Sequence, residues 1–372
     1  MLFIDNATVE AVLSMEDCVS AQEEAFRGLL TGDAVNRPRF DVYVPTGSPD
    51  SYYRSGNMEG AISSAGIYAI RLKSDVIRWP RSEDGAWTTE EKFCVRPGTY
   101  CGLVLLFSTR DGEPLAIIND GLIQHMRVGG GAGIGARHLA REDSHTVGML
   151  GSGGMARVYL EAFCSVRTIT RVTVFSPDRA HRESFAQEME QRLGIPVRAV
   201  DDPASAVRGA DIVATCTSSM TPTVRAEWIE PGMHLTNVGP SEIAKEVYDR
   251  ADVRMKQGVS GWPAGIENLD RVMVGRGHSP VAIVAGSDEE ISRLPSGNQH
   301  PLGYDMRLPT FADFLQGKVE DRTAPEQVTF WHNIGNHGLQ FAAVGAVAYH
   351  RAREMGLGRE LPTEWFLQDI KN

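Results

Sequence analysis

The 372-residue chain reads as an α/β protein in which a doubly wound parallel sheet is joined to a second α/β domain built from both chain ends. Three observations predict this. Strand and helix patterns alternate from Thr146 to Gly239, as βαβ units require. A glycine loop, Gly151-Ser152-Gly153-Gly154-Met155-Ala156, separates the first of those strands from its helix. Before Thr146, two strand-like runs are joined by a four-residue turn, the connection that antiparallel neighbours use.

Composition sets the outer bounds. With 42% hydrophobic and 23% charged residues, the chain can fill two cores, at about 100–200 residues per domain. A net charge of −11 argues against a nucleic-acid partner, which needs clustered Lys and Arg. Cys18, Cys94, Cys101, Cys164 and Cys216 form no C-x-x-C pair and have no His at ligand spacing, so reduced thiols and no metal are expected. The first residues carry acids where a secretory segment carries bases, and no run reaches the roughly 18 apolar residues of a membrane span. A cytoplasmic protein without a membrane partner is the expectation.

In chain order, Ser14 with Asp17 three residues on marks a helix start, and Ala21, Phe26, Leu29 and Leu30 form its apolar stripe before Gly32. This helix is expected to pack on a sheet. The runs at 66–72, 100–108 and 113–119 read as strands, the last two joined by Thr109-Arg110-Asp111-Gly112. From 146 the order is TVGML, a helix from Gly154, RVTVF, a helix near 180–193, PVRAV, a short helix near 203–208, DIVATC and HLTNVG. Residues 259–325 show no clear period and read as loop-rich. An Ala-rich helix closes the chain and ends at Gly356. The domains are drawn at 1–124 with 311–372, and at 125–310.

The glycine loop carries the most specific chemistry. In a G-x-G-x-x-A pattern after a strand, Gly151 permits the tight turn, Gly153 admits the pyrophosphate and Ala156 lets the helix lie close to the sheet. The helix start then offers N–H groups to the phosphates. This is a Rossmann nucleotide-binding half, with Ser152, Gly154 and Met155 completing the loop. The second strand ends at Ser176 rather than at the acid that usually binds the ribose of NAD. Ser176, Arg179 and Arg182 can donate to a 2′-phosphate, which favours NADP. Asp178, two residues beyond Ser176, keeps NAD open. Thr215, Thr217, Val238 and Gly239, at the ends of later strands, are the remaining expected dinucleotide contacts.

The run GLIQHMRVGGGAGIGARHLA (121–140), followed by the loop at Gly151, resembles the ornithine cyclodeaminase and mu-crystallin family. The resemblance covers most of residues 10–258 and 310–350. It implies three basic residues that clamp a substrate α-carboxylate beside the nicotinamide. Arg127 and Arg39 match two of these positions. The third, a lysine in the family, falls on Arg71, with Lys73 on the same strand face two residues on. Converging cations are what a buried carboxylate needs, since charge-assisted bonds offset its desolvation. The resemblance also implies a homodimer, a first domain that binds substrate and mediates dimerisation, and a loop at 237–242 lying over the nicotinamide. Cyclodeaminases carry an aspartate that aligns with Ser241; its absence implies the reductase or dehydrogenase branch. Glu242 is a possible surrogate acid or else a solvated helix-start residue.

His125, two residues before Arg127, points about 200° from it around a helix. His332 and His337 are candidate proton donors, and Trp79, Trp87 and Trp262 are candidate pocket walls beside ordinary packing. The leading expectation is an NAD(P)H-dependent reductase of a small 2-imino acid, or a dehydrogenase of the amino acid. In it Arg71, Lys73, Arg127, Ser241 and Glu242 carry the catalytic roles. The alternatives are an ammonia-releasing cyclodeaminase with regenerated NAD, and a ligand-binding protein without turnover.

Overall fold

The computed structural model describes residues 1–48, 51–258, 281–295 and 308–370. Two sheets dominate it. In the first, the strands run in the order Val281–Val284, Ala34–Pro45, Ser51–Ile62, Ile67–Arg78, Cys101–Ser108, Pro114–Asn119, Leu2–Ile4 and Arg359–Glu360. Its centre is antiparallel, including the predicted hairpin through residues 109–112. The second sheet is wholly parallel, ordered Val197–Ala199, Arg171–Phe175, Thr146–Leu150, Ile212–Thr215, His234–Asn237, Thr329–His332 and Val253–Lys256. The expected Rossmann sheet and the mixed α/β partner are both present.

Sheet membership departs from the expected boundaries at two places. Thr329–His332 pairs in parallel with His234–Asn237, so a strand from the closing segment completes the Rossmann sheet. Val281–Val284 pairs with Ala34–Pro45, so a strand from the middle of the chain extends the first sheet. Both are short strands whose four residues give too little period to place them. The supposedly loop-rich stretch also contains the helices Asp288–Ser292 and Phe311–Leu315.

Two of the three longest strands, Ala34–Pro45 and Ser51–Ile62, were absent from the sequence reading, although they form the centre of the first sheet with the equally long Ile67–Arg78. Their inward faces carry Arg39, Asp41 and Arg54 in place of apolar residues, which removes the alternation that marks a half-buried strand. Pro38 also interrupts the ladder: the register shifts between Arg37 and Phe40, and Arg39 stands in that bulge.

The helix Met15–Thr31 starts at the predicted capping box and stops at Gly32, whose φ of 78° is left-handed. It lies against the helix Asp120–Leu139 and the closing helix His337–Glu354. The helix Asp120–Leu139 joins the two sheets, and its glycines explain how. A Cβ on Gly129 would stand 2.6 Å from the carbonyl of Val158, one on Gly130 would strike Gln22, and one on Gly135 would strike Trp331. The closing helix begins equally close to the first sheet: a Cβ on Gly338 would lie 1.9 Å from the Glu59 carbonyl. The core is continuous across this junction. Among the described residues no helix is long and apolar enough to cross a membrane, and no group of His, Cys, Asp and Glu suits a metal.

Gly338→Ala therefore forces the closing helix off strand Ser51–Ile62 and is expected to destabilise the protein by about 1–3 kcal/mol, the scale of an overpacked core position. Chemical denaturation of the two proteins measures the difference.

Candidate active site

Two features meet on opposite faces of the helix Asp120–Leu139. On one side is a cleft of about 880 Å³ at the ends of the second sheet's strands. Gly151, Ser152, Gly153, Gly154, Met155, Ser176 and Thr217 line it, as expected of dinucleotide contacts. Gly151 takes φ 109° and its Cβ would collide with the Cys216 carbonyl, while Gly153 has nothing within 4 Å of where a Cβ would be. The space in front of Gly153 is what a pyrophosphate needs. Ala156 is fully buried in the helix–sheet contact, with Val158, Tyr159 and Phe163.

Other expected contacts are engaged elsewhere. Arg182 is buried; it donates to the carbonyl of Ser176 and pairs with Asp201 at 2.6 Å. Arg179 points to solvent and pairs with Glu183. Ser176 shares a hydrogen bond with Ser152, which His181 also meets at 2.9 Å. Asp178 caps the following helix and remains on the cleft wall.

Glu242 is not solvated. Its carboxylate is fully buried and accepts from the hydroxyls of Thr215 and Thr217 and from the N–H groups of Thr217, Val238 and Gly239. It ties the loop after Ile212–Thr215 to the loop after His234–Asn237, so Thr215, Val238 and Gly239 serve this knot. Nothing in a helix-start pattern shows such saturation. Ser241 is buried and donates to the carbonyl of Ser219. Ser219 in turn bridges to Thr89, and Met220 N–H donates to the Thr88 carbonyl. Thr88 and Thr89 thus reach from the first domain to the cleft wall, contacts the sequence reading did not name.

On the opposite face of the helix is a buried charge cluster. Arg39 makes a two-pronged pair with Asp41 at 2.7 and 2.6 Å. Arg71 donates from Nε to Asp120 at 2.5 Å. Arg54, which the sequence reading missed, pairs with Asp75 at 2.9 Å and approaches Glu90 at 3.6 Å. Lys73 stands 3.4 Å from Asp75. Burial, Arg39 and Arg54 together push the Lys73 ammonium well below its ordinary range. Burial works to raise Asp41, but Arg39, Lys73 and Arg54 outweigh it and keep this carboxylate ionised below its ordinary value.

Arg127 differs from all of these. It is buried and bonded to amide oxygens: Gln124 accepts from Nε and Nη2, and Gln340 accepts from Nη1 at 2.8 Å. Among the described residues no carboxylate pairs with it. Its guanidinium is lowered to about 9, first by burial and then by Arg71 and Arg39. The ring of Phe341 lies 5.0 Å from this guanidinium carbon and 5.7 Å from that of Arg71. The expected cations Arg39, Arg71, Lys73 and Arg127 therefore gather in one cluster, with only Arg127 lacking a carboxylate.

The histidines separate by face. His125 lines the dinucleotide cleft, as the 200° argument required. His332 is buried and bonds to Asn237 at 2.9 Å, a strand-end contact. His337 starts the closing helix, and burial, Arg127 and Arg39 hold it well below its ordinary value. Trp79 is buried and donates to Glu90, and Trp87 stacks under Arg81; Trp262 lies outside the described residues.

Comparison with known proteins agrees with this architecture. A family model described as the ornithine cyclodeaminase/mu-crystallin family matches residues 95–355. A Δ1-pyrroline-2-carboxylate reductase of Bacillus cereus is 32% identical over 264 residues, covering 71% of this chain and 74% of that protein. An alanine dehydrogenase of Archaeoglobus fulgidus is 26% identical over 360 residues, covering 97% and 98%. Among solved structures, the Thermococcus litoralis Δ1-pyrroline-2-carboxylate reductase in complex with NADH and L-proline has the same fold, with TM-score 0.74, 22% identity, and coverage of 97% and 100%.

A side chain at Gly153 enters the open space before the loop and touches no protein atom. Gly153→Val is thus expected to leave the unfolding midpoint near that of the parent. It should weaken dinucleotide affinity by about tenfold or more, the scale of a displaced phosphate contact. Fluorescence titration and thermal unfolding report the two quantities separately.

Proposed function

We propose, from the premise that the chain belongs to the ornithine cyclodeaminase/mu-crystallin family, that it is a nicotinamide-dependent oxidoreductase of small 2-imino acids. The observation that carries this reading is Arg127: a buried guanidinium held by amides and awaiting an anion, one helix face away from a dinucleotide cleft. An α-carboxylate satisfies it with parallel charge-assisted bonds. Relatives named as pyrroline-carboxylate reductases and an alanine dehydrogenase support the same chemistry.

The dinucleotide, when bound, supplies a hydride at its nicotinamide ring to the α-carbon of an iminium. The chain's own part is to hold that carbon in position and exclude water. Arg127 takes the carboxylate, and the nearby Arg71 and Arg39 add their field. We read the cofactor as NADH and not NADPH. Arg182 and Arg179, expected at a 2′-phosphate, are engaged with Asp201 and Glu183, while Asp178 faces the cleft. The cyclodeaminase alternative lacks its acid, since Glu242 is saturated with donors. The reading includes a homodimer, for which Val42, Val44, Tyr53 and Ile283 provide an exposed apolar strip on the first sheet.

The test combines NADH or NADPH with Δ1-pyrroline-2-carboxylate, or with pyruvate and methylamine, and follows loss of reduced nicotinamide. Oxidation with NADH favoured is expected; dinucleotide binding without oxidation of any imino acid would overturn the assignment. In Arg127→Met, KM for the imino acid is expected to rise by about two orders of magnitude, as when one partner of a buried charge pair is removed. NADH affinity should stay unchanged.

A further inference from the structure

Four of the five cations in the buried cluster have an internal carboxylate: Arg39 has Asp41, Arg71 has Asp120, and Arg54 and Lys73 share Asp75. Arg127 has amides on both sides. Gln124 Oε1 accepts from its Nε at 3.2 Å and its Nη2 at 2.9 Å, and Gln340 Oε1 accepts from Nη1 at 2.8 Å. Arginine has only donors, so an oxygen must face it.

The Gln340 amide cannot turn away, because its nitrogen is also committed. Nε2 donates to Gln22 Oε1 at 2.6 Å, to the Arg127 carbonyl at 3.1 Å and to Gln257 Oε1 at 3.3 Å. Gln257 is fixed in turn by donating to the Gly335 carbonyl at 2.7 Å. This glutamine network spans the helix Met15–Thr31, the helix Asp120–Leu139, the segment after Val253–Lys256 and the closing helix. An amide at position 340 aims the guanidinium without neutralising it; a carboxylate there would occupy it.

We propose that Gln340, with Gln124, is a positioning residue that keeps Arg127 open as the anion receptor, and that the substrate accordingly presents a single carboxylate to this cluster. The remaining four cations are engaged by Asp41, Asp75, Asp120 and Glu90, so a second carboxylate would have to displace one of these from a buried pair. The inference rests on the oxidoreductase reading above.

The experiment compares wild type with Gln340→Glu and Gln124→Glu, and with Gln340→Met as an uncharged control. KM for Δ1-pyrroline-2-carboxylate is expected to rise by about tenfold or more in either glutamate variant, the worth of a charge-assisted bond, and by less in the methionine variant. NADH affinity and kcat should change little. Turnover of Δ1-pyrroline, which lacks the carboxylate, should be equally poor in all four proteins. Gln124 is only half-buried, so its variant keeps the test available if position 340 does not tolerate a charge. Glutamate variants that fold, bind NADH and retain the wild-type KM overturn the inference while leaving the oxidoreductase reading intact. Wild-type protein that oxidises no NADH fails that reading instead. Binding of L-proline to the NADH-loaded proteins, measured by calorimetry, then repeats the comparison, and an absence of binding to wild type overturns both.

Discussion

A guanidinium buried without a counter-charge among the described residues is the constraint around which this molecule is organised. Desolvating an arginine is costly, and the usual remedy is a carboxylate. Here Arg39, Arg54, Arg71 and Lys73 receive that remedy, whereas among the described residues Arg127 receives the dipoles of two glutamines and the face of Phe341. Burial first, and then Arg71 and Arg39, lower its guanidinium to about 9. A bound carboxylate would supply Arg127 with the counter-charge that the two glutamines do not.

That arrangement depends on the helix that carries Arg127. Its glycines at 129, 130, 133 and 135 let the neighbouring helices and Trp331 approach to backbone distance, which leaves little room for the helix to rotate. Rotation would matter because the two faces have different tasks. His125 and the glycine loop border the cleft on one side, and Arg127 enters the charge cluster on the other. The contact of Gly338 with strand Ser51–Ile62 fixes the closing helix, and hence Gln340 and Phe341, against the same cluster.

Five of the seven strands of the parallel sheet were legible in the sequence because they are short apolar runs in alternation with helical periods; Val253–Lys256 and Thr329–His332 were not. The glycine loop was legible for the same reason. Ala34–Pro45 and Ser51–Ile62 were not, since residues of the buried charge cluster, Arg39, Asp41 and Arg54, occupy inward positions where a strand pattern calls for apolar side chains. The cations Arg39, Arg71, Lys73 and Arg127 came from a family resemblance, and their gathering in one cluster follows from it. Their partners could not be read that way. Which carboxylate meets which cation depends on strand register: Arg71 lies opposite Val104 and Lys73 opposite Gly102, the latter beside Asp120, through pairings that no local pattern encodes. Glu242 shows the same limit, as five donors converge on it from two separate strand ends.

The most direct test of the account is a crystal structure of the protein with NADH and L-proline. The account predicts the proline carboxylate on the Arg127 guanidinium, with Gln124 and Gln340 still bonded to it and Asp41, Asp75 and Asp120 still in their internal pairs. A carboxylate seated away from Arg127, or Arg127 turned onto one of those internal carboxylates, would contradict it.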